Sequence, residues 1–83
     1  MMTIDELTSE LRAILAAEEQ MPPDWRQVET RSLRVIERLS TEEEPAYPDE
    51  MVYHFLDDPD VRQKSAPYAE RQRERLREWL ASR

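Results

Sequence analysis

Apolar residues recur along this chain at helical intervals, and prolines fall between the recurring sets. Ile4, Leu7, Leu11, Ile14 and Leu15 make one stripe, because positions three and four apart share a helix face. Thr3 stands before the stripe and Glu6 three residues later. That is the capping-box spacing, in which hydroxyl and carboxylate satisfy each other's backbone donors. The stripe fades at Glu18 and Glu19, and Pro22 and Pro23 stop the helix, since proline lacks an N–H and restricts the residue before it.

Asp24 and Gln27 repeat the capping pattern for a second helix. Its inward face holds Trp25, Val28, Ser32, Val35, Ile36 and Leu39, and Leu33 lies off that face. A polar connector, "STEEEPAY", follows. Pro48 suits the first turn of a short third helix, with Asp49 and Glu50 at its positive end. Met51, Val52, Phe55 and Leu56 point one way, and Glu50, Tyr53, His54 and Asp57 project the other. Asp58 and Pro59 then read as a cap and a turn through Val61. Ser65 and Pro67 open a last helix that packs with Tyr68, Gln72, Leu76, Trp79 and Leu80. Its outer face carries Glu70, Arg73, Glu74 and Arg77 at ion-pairing intervals.

No segment alternates apolar and polar residues at strand period. The pattern therefore predicts an all-α fold. It is a compact four-helix bundle with a short third helix, the helices spanning about 4–20, 25–39, 49–57 and 67–81. One domain covers residues 1–83. Leu11, Ile36, Phe55, Leu76 and Trp79 are expected to be buried, with Trp25 as a second aromatic anchor.

Composition narrows the chemistry. The chain has 83 residues with neither glycine nor cysteine. That removes Gly-rich phosphate cradles, disulfides and thiolate metal sites. No apolar run approaches the roughly 20 residues of a membrane span. The first ten residues, "MMTIDELTSE", are acidic and amphipathic, unlike a secretory signal. These features lead to the expectation of a soluble cytoplasmic protein, bacterial in style.

The formal net charge is −7, and it is uneven. Residues 1–65 hold seven Lys/Arg against sixteen Asp/Glu, whereas residues 66–83 hold five Arg against three Glu. Thr41 to Asp60 contains eight acids and no Lys or Arg. Such a surface repels nucleic acid, whose binding rests on basic groups that neutralise phosphate. A protein with a basic surface is the complementary partner.

Candidate catalytic groups do not assemble in the sequence. His54 is the single imidazole, flanked by Glu50, Asp57 and Asp58. A tight metal site needs three or four converging ligands, and no second His or any Cys is present. "DDPD" lacks the turn glycine and closing Glu of a calcium loop. Ser40, Ser65 and Ser82 sit at predicted helix ends, where serine is an ordinary cap, and no local pattern brings His54 to one of them. No catalytic, cofactor-binding or metal-binding residue is expected, and the protein reads as a non-enzyme.

The acidic side of the third helix is the candidate contact face, through Glu50, Tyr53, His54 and Asp57. Its acids are concentrated, and an aromatic lies among them, the kind of residue that carries energy at interfaces. In outline the chain resembles the immunity proteins of nuclease colicins: acidic, four helices, a short third one with acids and Tyr, and a Trp late in the last. That resemblance implies inhibition of a basic nuclease through acids and tyrosines of the central helices. The adjacent tyrosine pair of that family is replaced by the single Tyr47 of "AYPDE". The leading expectation is a small acidic non-catalytic protein that binds a basic protein. The alternatives are an immunity- or antitoxin-like inhibitor of a nucleic-acid-binding enzyme, and a self-associating structural protein (a homo-oligomer).

Overall fold

The computed structural model describes residues 2–41 and 50–82. Five helices occupy them: α1 (Ile4–Glu18), α2 (Trp25–Ser40), α3 (Glu50–Asp57), α4 (Pro59–Lys64) and α5 (Ala66–Ala81). No strand occurs among the described residues. The expected Pro48 and Asp49 start of α3, and Tyr47, lie outside them.

The predicted caps explain three helix starts. Thr3 accepts from the Glu6 backbone N–H at 3.1 Å, and Asp24 accepts from that of Gln27 at 3.1 Å. Ser65 caps α5 by accepting from the Tyr68 N–H, and Pro67 lies in the first turn. Two expectations need correction. The first helix ends at Glu18, two residues earlier than predicted, where the Glu19 N–H donates to the Leu15 carbonyl at 3.0 Å and the Gln20 N–H tightens to the Ala17 carbonyl at 3.4 Å. The stretch predicted as a turn through Val61 is instead α4, a helix of six residues. Proline at its first position donates no hydrogen bond there and has φ already set for helix, so "DPDVRQK" starts a helix as readily as a turn.

The helices share one core. Leu7, Leu11 and Ile14 of α1 meet Val28, Val35 and Leu39 of α2, Val52, Phe55 and Leu56 of α3, and Leu76, Trp79 and Leu80 of α5. Arg38 reaches Glu6 and Arg31 reaches Glu10 across the first seam, so α1 and α2 run antiparallel. Of the five residues expected to be buried, Leu11, Phe55, Leu76 and Trp79 are; Ile36 is only partly covered. Its neighbours Val35 and Leu39 take the centre of the α2 face, and Ile36 is rotated to the edge. Trp25 also packs at the margin.

The core contains a charged centre that the apolar pattern does not announce. The side chains of Glu18 and Arg62 are both 0% exposed. Arg62 Nε donates to both Glu18 carboxylate oxygens, at 2.9 and 3.0 Å. Arg62 Nη1 donates to the Phe55 carbonyl and, at 2.6 Å, to Gln72 Oε1. The guanidinium lies over the Phe55 ring, 3.9 Å from its centroid. Arg73, expected on the outer face of the last helix, also turns inward and donates to Glu18 Oε2 at 2.9 Å. Burial pushes the Arg62 guanidinium below its ordinary pKa, and Glu18 opposes that shift.

Removing one member of a buried pair costs about 3–5 kcal/mol, because an uncompensated charge stays inside. Chemical denaturation of Glu18→Gln should show a loss of that order. Adding Arg62→Met should restore part of it, since the stranded charge is then gone. Leu76→Ala should separately cost about 2–5 kcal/mol through the cavity it leaves in a small core.

Candidate functional site

The short helix α3 is the element on which candidate functional residues converge. At about 100° per residue, its buried side is Val52, Phe55 and Leu56. Glu50, His54 and Asp57 are exposed on the other side, and Tyr53 is half-buried and packs against the core. The four residues singled out from sequence therefore share one flank of α3, with Tyr53 at its inner edge. His54 Nε2 approaches Glu50 at 3.7 Å, one helical turn away. Among the described residues no group of three or more His, Asp or Glu gathers in a way that would hold a metal ion.

Two grooves of opposite character flank α3. On the α5 side, Met51, His54, Tyr68, Arg71, Gln72 and Arg75 line a groove of about 380 Å³. Its floor is internally satisfied. The Tyr68 hydroxyl donates to Asp58 Oδ2 at 2.6 Å, and Gln72 Nε2 donates to the same oxygen and to the Tyr68 hydroxyl, each at 3.2 Å. Asp58 was expected to act as a simple cap. It occupies the N-cap position of α4 but makes no side-chain cap bond, because its carboxylate is committed to α5.

On the α2 side, a smaller groove of about 200 Å³ runs between α2 and the α3–α4 corner. Leu33, Ile36, Leu56 and Pro59 supply its apolar lining, and Glu29, Asp57 and Asp60 its carboxylates. Leu33 is 60% exposed, although it is a large apolar side chain. Among the described residues none of the three acids makes an ion pair. Of the residues lining this groove, sequence reasoning reached only Asp57 as a site. The available signal was Leu33, apolar yet out of phase with its helix's inward face, and a turn away from Glu29.

No known protein family, curated protein or solved structure matches this chain. The functional reading therefore rests on the geometry alone. No described helix is long and apolar enough to cross a membrane.

The Tyr68–Asp58 bond gives a pH signature. The neighbouring carboxylate, which accepts the phenol proton, raises Tyr68 above its ordinary pKa. The folded state then holds the proton longer than the unfolded chain does. The stability contributed is complete below tyrosine's ordinary value, about 10, and is lost as pH rises through the raised folded value. Thermal melts over an alkaline pH series should therefore fall less steeply for Tyr68→Phe than for the wild type.

Proposed function

We propose that this protein is a small non-catalytic binding domain whose acidic α3–α4 side engages a protein with a basic surface. One observation carries the reading: among the described residues Glu29, Asp57 and Asp60 make no ion pair, and they stand around an apolar groove that leaves Leu33 open to water. Elsewhere on the surface several acids meet arginines, whereas Asp5, Glu37, Glu74 and Glu78 are also unpaired among the described residues. Glu6 binds Arg38, Glu10 binds Arg31, and Glu19 binds Arg77. Unpaired carboxylates around exposed apolar area suit a partner that brings both positive charge and nonpolar contact. Charge complementarity would steer the encounter, and the apolar centre would hold the complex.

Glu50, Tyr53 and His54 extend this surface along α3 from Asp57. A basic nucleic-acid-binding enzyme is one partner class that meets the requirement. Tyr53 contributes to the core as well as to the surface, so Tyr53→Phe is a cleaner probe of its hydroxyl than truncation to alanine.

The test compares partner capture by the wild type, by the double variant Glu50→Lys/Asp57→Lys, and by the control Glu74→Lys on α5. The wild type and the control should retain one basic protein whose binding weakens with salt. The double variant should lose it, chiefly through slower association. Retention of an acidic partner, or equal affinity for the double variant, would reject the reading.

A further inference from the structure

The α2-side groove has a buried polar atom that neither the fold nor an acidic surface explains. Ser32 is 1% exposed and lines this groove, and its hydroxyl oxygen has no hydrogen-bond partner. A serine inside a helix ordinarily bonds back to a carbonyl of the preceding turn, as Thr30 does to Arg26 at 2.8 Å. Ser32 makes no such bond. A buried hydroxyl left unsatisfied is costly, and here it stands one turn from the unpaired Glu29 on the same face of α2. The lining of α2 thus pairs a polar row, Glu29 and Ser32, with an apolar row, Leu33 and Ile36.

Asp57, the last residue of α3, adds an exposed carboxylate that makes no ion pair among the described residues. The groove volume, about 200 Å³, also falls below the roughly 300–1,000 Å³ of small-molecule pockets. It suits a single long side chain better than a whole metabolite.

We propose that this groove is a receptor for one lysine side chain of the partner protein. The inference rests on the binding role proposed above and names the group recognised. The four-carbon stem lies along Leu33, Ile36 and Leu56, as lysine stems do on apolar surface. The ammonium, with three donors and no acceptor, is met by the carboxylates of Glu29, Asp57 and Asp60, and the Ser32 hydroxyl is the buried acceptor beside them. Apolar contact alone would leave four polar groups desolvated. A cation alone would leave Leu33 uncovered. Lysine satisfies both requirements.

The probe is a set of short peptides, uncharged elsewhere and identical except for one central residue: lysine, acetyl-lysine or norleucine. Binding is followed through the methyl resonances of Leu33, Ile36 and Leu56 in the full chain. The lysine peptide should shift these methyls in a saturable way. Acetyl-lysine and norleucine should bind at least about tenfold more weakly, as should lysine to the near-isosteric Asp57→Asn/Asp60→Asn variant. Ser32→Ala should weaken lysine binding severalfold without changing the norleucine response.

Equal binding of norleucine and lysine would overturn the proposal, as would lysine shifts scattered over all acidic faces or an absence of saturable shifts. A partner whose capture still depends on Glu50 and Asp57 while the lysine peptide leaves the groove methyls unmoved would overturn the lysine receptor and leave the acidic binding face standing. Loss of both would overturn both.

Discussion

The buried pair of Glu18 and Arg62 is the constraint on which the rest of this small fold depends. A carboxylate and a guanidinium removed from water carry a desolvation cost of several kcal/mol each, so their partners must all be in place at once. Those partners come from four helices. Glu18 ends α1, the Phe55 carbonyl belongs to the last turn of α3, Arg62 lies in α4, and Gln72 and Arg73 lie in α5. The Phe55 bond also satisfies a carbonyl in the last turn of α3, one of the four that a helix end leaves without an intrahelical partner. A six-residue helix such as α4 would be marginal alone. Here it is fixed by its single buried arginine.

The surface follows from that anchoring. With Phe55 under the Arg62 guanidinium and Asp58 bonded to Tyr68 and Gln72, α3 has no freedom to roll about its axis. Its acidic side must face outward between α2 and α5. The two flanks then differ electrostatically. Arg71 and Arg75 border the α5 side, whereas Glu29, Asp57 and Asp60 border the α2 side. A net charge of −7 averages over this polarity. Any partner approaching α3 meets a gradient rather than a uniform field.

Glu29, Asp57 and Asp60 differ from the other surface acids in lining a groove while making no ion pair among the described residues. Glu6, Glu10 and Glu19 lie on helix seams and meet arginines there. Solvent screens these exposed pairs, so each contributes little to stability, but they neutralise charge on their faces. The arginine at Glu6 also holds that carboxyl below its ordinary pKa. Among the described residues no equivalent base reaches Glu29, Asp57 or Asp60. The binding role proposed for the α2-side groove depends on this contrast more than on the total number of acids.

The sequence by itself determined four of the five described helices; α4 read as a turn. Periodic apolar positions, Thr3, Asp24 and Ser65 as caps, and prolines at the boundaries are local signals, because capping and helical phase involve residues only three or four apart. It also determined which side of α3 is polar, for the same reason. The tertiary structure alone decided the charged core. Glu18 is in phase with Leu7, Leu11 and Ile14, but a charged residue there reads as the end of the apolar stripe; its partner lies 44 residues away, and no local rule links Glu18 to Arg62. Arg73 likewise turned inward for a carboxylate on another helix. The α2-side groove was decided in the same way: Leu33, Ser32 and Asp57 come to line one groove only where α2 packs beside the α3–α4 corner. Helix formation is governed by neighbours along the chain, whereas burial of charge and the shape of a groove are governed by neighbours across it.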